Sequence, residues 1–366
     1  MSERGGLGMG VAGTNDRSTE RRKSRHLDIC LEDDVASTLD AGFAAVRLHH
    51  EALPERSLAD VTTETTLLGR RLRAPLVISS MTGGTARAGA INRNLASAAA
   101  RAGVALAVGS QRAALEDPSL LDTYRVRDVA PGLVLFANLG AVSLNYGIGL
   151  NEARRAVEAI EADGLYLHVN PLQEALQQRG DTNFRGLLVK ISELVRGLEV
   201  PVIVKGVGSG IGVATAGRLL EVGVAAIDVA GAGGTSWARV EGRRAESALH
   251  ERLGETFAGW GYRTVEATLS LRRACPNARL IASGGVRSGL DVAKALALGA
   301  DACGIGLPFL EPATRSAEAV SAAIEEVVLG LRIALFASGC ASIADLPGAL
   351  YVPSGSDPTQ ISSPSI

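Results

Sequence analysis

Four stretches of the 366-residue chain combine residue types that could do chemistry. In SGGVRSGLDVAKAL, Gly284 and Gly285 let the backbone approach an anion closely, and Ser288 opens a helix whose N-terminal amides favour a phosphate. In PVIVKGV, Lys205 ends an apolar run, so its ammonium needs an anionic partner or a shifted pKa, unless the side chain snorkels to water. A flavin or a phosphate fits as that partner, because a cation near the pyrimidine end of a flavin stabilises its anionic reduced form. HVNPLQEALQQRGDTNF gathers His168, Asn170, Gln173 and Glu174, with Pro171 fixing a turn that leads into a helix. A carboxylate beside neutral amides suits one Mg²⁺ bridging to substrate phosphates, while Glu174 would equally serve as an ordinary first-turn helix acid. Finally, ERRKSRH concentrates Arg21, Arg22, Lys23, Arg25 and His26 into a basic run that is either solvated or grips an anion.

Positioning these groups requires elements that bring them together. Eight near-continuously apolar runs can be read: APLVISSM, VALAVGS, LVLFANLG, LYLHV, PVIVKGV, AAIDVAG, RLIASGG and DACGIGL. Such runs suit parallel strands covered on both faces. Amphipathic stretches such as INRNLASAAARAG and GLDVAKALALGA lie between them, several ending in a helix-terminating Gly. Eight strand–helix alternations predict an α/β fold of the (β/α)₈ (TIM) barrel type rather than a doubly wound sheet. Polar residues follow nearly every run, and in this fold those strand ends share one face. The longest gap, from Ala232 to Thr264, is expected to be an active-site loop with a short helix.

Composition sets further bounds. The chain is 46% hydrophobic and 21% charged, which suits a large buried core. A net charge of −2 gives no support for nucleic acid or an anionic membrane as partner, and no apolar run could span a bilayer. A cytoplasmic location is the default expectation. Cys30, Cys275, Cys303 and Cys340 are scattered and read as reduced, mostly buried thiols. Residues 1–21 are expected to form a flexible extension, 22–350 the barrel with its N-terminal arm, and 351–366 a flexible tail.

RKSRH, SSMTGG, GSQR, ANLG, HVNPLQE, VKGVGSG, GAGGTSW, SGGVRSGLD and GIGLPFL, in that order, resemble the FMN-dependent type 2 isopentenyl-diphosphate isomerases from Arg22 to about residue 340. The resemblance implies that Ser80, Met81, Thr82, Ser110, Asn138, Lys205 and Thr235 hold the flavin, with Gly285, Val286, Arg287, Gly306 and Leu307 around its phosphate. It implies that Arg22, Lys23, His26, Ser110, Gln111, Arg112, Asn170 and Gln173 hold the substrate, that Glu174 binds Mg²⁺, and that Gln173 and His168 act in catalysis. Ala230 stands where the family often has a hydroxyl, a loss of about 0.5–1.5 kcal/mol of flavin binding. The implied reaction is a 1,3-allylic proton shift between isopentenyl and dimethylallyl diphosphate, with reduced FMN giving and taking the proton and NADPH reducing it beforehand. A homotetramer or homooctamer is implied, in which the basic arm could cover its own barrel or a neighbour's.

Three alternatives remain at this stage. An FMN-dependent 2-hydroxy-acid oxidase or dehydrogenase would need a His base after the sixth or seventh strand, yet no His follows the sixth strand until His250. An enzyme similar to inosine-monophosphate dehydrogenases would need a nucleophilic Cys where Gly210-Ile211 stand. A flavin-binding sensor without turnover would leave RKSRH and Glu174 without a purpose.

Overall fold

In the computed structural model of the chain, residues 16–351 are described, with side chains from Arg21 onward. The expected N-terminal extension therefore lies outside the described residues up to residue 15, and the tail from residue 352. An antiparallel hairpin of β1 (Thr65–Leu67) and β2 (Arg70–Leu72) precedes eight parallel strands. These are β3 (Leu76–Ile78), β4 (Ala105–Ala107), β5 (Leu135–Gly140), β6 (Gly164–His168), β7 (Val202–Lys205), β8 (Ala226–Asp228), β9 (Leu280–Ser283) and β10 (Ala302–Ile305). Neighbours pair in chain order and β10 pairs with β3, so the sheet closes. Each of the eight expected runs supplies one barrel strand, and the (β/α)₈ barrel is borne out.

Helix α1 (Asp16–Glu32) precedes the barrel. After β3 and β4 come α2 (Ala86–Ala102) and α3 (Arg112–Glu116), and after β5, α4 (Leu150–Glu158). α5 (Pro171–Leu176) and α6 (Leu187–Gly197) follow β6, and α7 (Val213–Glu221) follows β7. The gap after β8 holds two consecutive helices, α8 (Trp237–Arg244) and α9 (Ala248–Thr256), where one short helix was expected. α10 (Thr264–Ala274), α11 (Gly289–Ala297), α12 (Leu307–Arg315) and α13 (Ala317–Ala337) complete the shell. No described helix is long and apolar enough to cross a membrane, and the four cysteines are free.

The two-residue period of a strand explains how the barrel makes a site. Val77, Ala107, Phe136, Tyr166, Ile203, Ala226, Ile281 and Ala302 form a buried apolar cluster inside the barrel. Two residues further along each strand, on the same face, stand Ser79, Gly109, Asn138, His168, Lys205, Asp228, Ser283 and Gly304. The polar layer therefore sits directly on a dry plug. Leu67 and Leu72 of the unexpected β1–β2 hairpin join that cluster, each 1% exposed, and help seal it.

α11 is fixed tightly at its start. Ser288 caps it reciprocally with Asp291, and Gly289 lies so close to α13 that a Cβ there would stand 2.2 Å from both Val327 O and Leu331 N. Gly289→Ala is accordingly expected to destabilise the fold by about 1–3 kcal/mol through overpacking, read as a lower urea midpoint at unchanged slope.

Candidate active site

Two adjoining cavities open at the carboxyl ends of the strands and share Lys23, His26, Ser80, Met81, Thr82, Lys205, Val207 and Trp237 in their walls. The first runs over glycine backbone. Gly231 to Gly234, after β8, interlock with Gly284 and Gly285, after β9: a Cβ on Gly285 would lie 2.5 Å from Gly233 O, and one on Gly234 2.6 Å from Gly285 N. Gly285 also holds φ +74°, the left-handed region that glycine adopts without strain. The start of α12, at Gly306 and Leu307, and the segment leading into α11, at Val286 and Arg287, reach this cavity. Backbone amides at the start of α12, which no side chain caps, stand beside bare glycine backbone and suit an anion. Arg287 also lines this cavity, and burial pushes its guanidinium below its ordinary value while Asp291 pulls the other way.

The second cavity is built by charge. α1 lies across the mouth of its own barrel, with Arg22, Lys23 and His26 on the cavity. The Lys23 ammonium donates to Ser110 O at 2.9 Å and to the Tyr124 hydroxyl at 2.6 Å. Burial, reinforced by Arg22, pulls Lys23 down to about 7, against the weaker pull of Glu116. Burial lowers Arg22 as well, opposed by Glu241 and Glu174. Such desolvated cations are stabilised when an anion arrives.

On the β6 side of this cavity, the Asn170 amide donates to Gln173 Oε1 at 3.1 Å and to Glu174 Oε1 at 2.8 Å, while Asp181 N donates to Glu174 Oε2. Asn170 Oδ1 is buried without a hydrogen-bond partner and so is free to accept from a ligand. Gln173 Nε2 donates to Glu241 Oε1 at 2.9 Å, and Arg244 clamps Glu241 Oε2 through two nitrogens. His26 Nε2 stands 3.1 Å from Glu241 Oε1, although not aligned for a hydrogen bond. Burial alone would raise the Glu241 carboxyl, but His26, Arg244 and Gln173 together draw it down to about 2.

Strand register puts His168, Lys205 and Asp228 side by side on β6, β7 and β8. The His168 ring shares a hydrogen with Asn138 Oδ1 across 2.9 Å, and the Asn138 amide donates to Ser80 Oγ at 2.8 Å. Burial first, then Lys205 and Lys23, push His168 down to about 4, so the imidazole is neutral near pH 7. Asp228 is raised by burial, against the pull of Lys205 and the Ser283 hydroxyl.

Placement against expectation is mostly direct. Thr235, Gly285, Val286, Arg287, Gly306 and Leu307 line the glycine cavity; Ser80, Met81, Thr82 and Lys205 line both. Ser110 and Asn138 line only the charged cavity, away from the proposed flavin wall. Gln111 lines neither cavity. It is 1% exposed, and its amide is spent on Ala156 O and Asn138 N, bracing β5 instead of facing a ligand. Arg112 reaches the cavity, but Glu116 and Asp181 occupy its guanidinium. Ala230 holds φ +38°, a strained backbone for a residue with a Cβ, and lines the glycine cavity.

Trp237, Glu241 and Tyr124 were not anticipated. Glu241 lies in the run VEGRR, which reads as an exposed helix face until α8 is seen against α1. A third, apolar cavity of about 850 Å³ touches the site at Asn170, Gln173 and Trp237, and Arg218 is its one charged lining residue.

Two outcomes follow from this geometry. In an NMR titration the His168 ring should show a midpoint near 4. An unfolded His binds its proton first, so the fold loses stability as pH falls from about 6.5 toward that midpoint. Gly234→Ala should weaken FMN binding about 5- to 150-fold, the equivalent of about 1–3 kcal/mol of overpacking, as read by flavin titration of the apoprotein.

Comparison with known proteins agrees with this geometry. The family model for FMN-dependent dehydrogenases matches residues 20–118 and 168–352. The isopentenyl-diphosphate delta-isomerase of Nostoc sp. is 51% identical over 334 residues, covering 91% of this chain and 95% of that protein. That of Stutzerimonas stutzeri is 52% identical over 334 residues, covering 90% and 96%. Among solved structures, a mandelate oxidase with an FMN adduct matches with a TM-score of 0.62 at 20% identity, covering 92% of this chain and 99% of that one, a likeness of fold alone. The chain belongs to the isopentenyl-diphosphate delta-isomerases, within the FMN-dependent dehydrogenase family.

Proposed function

We propose that the enzyme interconverts isopentenyl and dimethylallyl diphosphate by a 1,3-allylic proton shift at the shared wall of its two cavities. The observation that carries this reading is the pairing itself. A glycine-lined cavity at the start of α12 adjoins a second site that presents cations, buried amides and a carboxylate. One anion site suits the FMN phosphate and the other a diphosphate.

The residues fit both absent groups. The Gly231–Gly234 and Gly284–Gly285 backbones pack too closely on neighbouring backbone to admit a Cβ, which leaves a side-chain-free wall along the cavity, and Ser79 Oγ beside it is buried without a partner. Ser80, Met81, Thr82, Lys205 and Thr235 would hold the flavin, with Gly285, Val286, Arg287, Gly306 and Leu307 at its phosphate. Glu174, on the wall of the charged cavity, would hold Mg²⁺ together with the substrate's own oxygens. When bound and reduced, FMN would supply the acid and base for the proton shift, with NADPH as its reductant.

The chain's own residues do the rest. Arg22, Lys23 and His26 would grip the diphosphate, and the free Oδ1 of Asn170 would accept a hydrogen bond from a water beside it. Gln173, held between Asn170 and Glu241, and the neutral His168 ring present polar edges where the reacting carbons would lie, positioning and not ionising. Lys205 supplies positive charge at the shared wall. The hydroxy-acid-oxidase alternative lacks its base: His250 is bonded to Ser247 and lines neither cavity. The exposed Trp260 and Tyr262, 61% and 56% accessible, support a homo-oligomer, and a cytoplasmic location accords with the substrate.

Enzyme pre-reduced anaerobically with NADPH and supplied with Mg²⁺ should convert isopentenyl diphosphate, and EDTA should abolish the reaction. Turnover no faster than that of flavin-free protein would overturn the reading. Deleting residues 1–26 removes Arg22, Lys23 and His26, and is expected to raise KM at least about tenfold while FMN stays bound.

A further inference from the structure

We infer that Tyr124 is a positioning residue for the reaction: its hydroxyl holds the Lys23 ammonium at the junction of the flavin and diphosphate cavities. This rests on the reading of Lys23 as a diphosphate ligand.

The geometry is a closed triangle. Lys23 Nζ donates to the Tyr124 hydroxyl at 2.6 Å and to Ser110 O at 2.9 Å, and the Tyr124 hydroxyl donates to the same Ser110 O at 2.7 Å. The phenol acts as acceptor and donor at once, which a Phe could not do. Tyr124 is fully buried at 0% exposure, and burial pushes its phenol well above the ordinary range, so it keeps the proton that it donates.

The surrounding backbone is cut to fit this side chain. A Cβ on Gly83 would stand 2.0 Å from the Tyr124 ring, and one on Gly84 would lie 3.0 Å from Lys23 Nζ and 3.2 Å from the Tyr124 hydroxyl. The two glycines after β3 thus make room for the Tyr124–Lys23 pair. The segment bearing Tyr124 is clamped to them: Gly84 N donates to Thr123 Oγ1, and the Asn92 amide bridges Thr82 O and Thr123 O. Lys23 itself lines both cavities.

The charged environment explains why a neutral partner is useful here. Arg22 and His26 lie on the same helix, Arg112 and Glu116 on α3, Glu241 on α8, and His168 and Lys205 on β6 and β7; α12 presents Leu307 and Leu310. No carboxylate forms an ion pair with Lys23 among the described residues, so in the free enzyme Ser110 O and Tyr124 hold it. With Lys23 near 7, protonation there and diphosphate binding favour each other. The free-enzyme profile of kcat/KM should then fall as pH rises through that value, because the charged lysine is the binding form.

Tyr124→Phe keeps the ring that fills the glycine pocket and removes only the hydroxyl. Expected are a KM for isopentenyl diphosphate raised about three- to tenfold, kcat within about twofold and unchanged FMN content, as befits one lost hydrogen bond to a charged group. The descending limb of kcat/KM should move to lower pH, since removing an acceptor disfavours the ammonium. Calorimetric binding of inorganic pyrophosphate with Mg²⁺ should weaken by a similar factor, and the loss should vanish in a Lys23→Gln background. An unmoved limb with unchanged pyrophosphate affinity would overturn the inference, as would an equal effect of Tyr124→Phe with Lys23 already removed. If Lys23→Gln alone leaves pyrophosphate binding intact, the reading of Lys23 as a ligand fails instead.

Discussion

Everything at this site depends on one constraint: the polar groups at the strand ends must stand directly on a water-free plug. Phe136, Tyr166 and Ile203 fill the barrel interior, and strand geometry then obliges the next inward residues, Asn138, His168 and Lys205, to sit at the boundary of that dry core. Charges there lose hydration on one side. The consequences are seen in a depressed His168 and a raised Asp228, each dominated by burial; burial likewise depresses Lys23 and Arg22 on α1. Arg22 and Lys23 are thereby cations whose unfavourable desolvation an anionic ligand would relieve.

The second half of the site is made by elements that are not barrel strands. α1 closes over the mouth, and α8 meets it with Glu241, which is held by Arg244 and Gln173 and approached by His26. A buried carboxylate with this many partners is costly to leave half-paired. Gln173 and the seat of α1 are therefore joined through Glu241, and α1 places Arg22, Lys23 and His26 on the cavity wall. Arg22, Lys23 and His26 are useful only when the helix is docked.

Glycine plays two separate parts. After β8 and β9 it allows backbone to interlock and expose amides to an anion; after β3 it leaves space for the Tyr124 ring. The sequence motif looks alike in both places, yet one builds a side-chain-free cavity wall and the other a support for a lysine. Nothing in the spacing of Thr82-Gly83-Gly84 distinguishes these uses, since the occupying ring comes from a segment some forty residues later.

The chain's local pattern was sufficient for the barrel, because eight apolar runs separated by amphipathic stretches have few other ways to bury both sheet faces. It was also sufficient to place the polar strand ends on a common face and to pick out Lys205, His168 and Glu174. What it could not decide was which side chains spend themselves on one another. Gln111 turned inward to brace β5, Arg112 was taken up by Glu116 and Asp181, and Glu241 emerged from a charged run as a buried hub. Such outcomes depend on the approach of α1, α3 and α8 across long sequence separations. A side chain's hydrogen-bond partners are fixed by tertiary distance and angle, whereas residue type and periodicity fix only the face on which it begins.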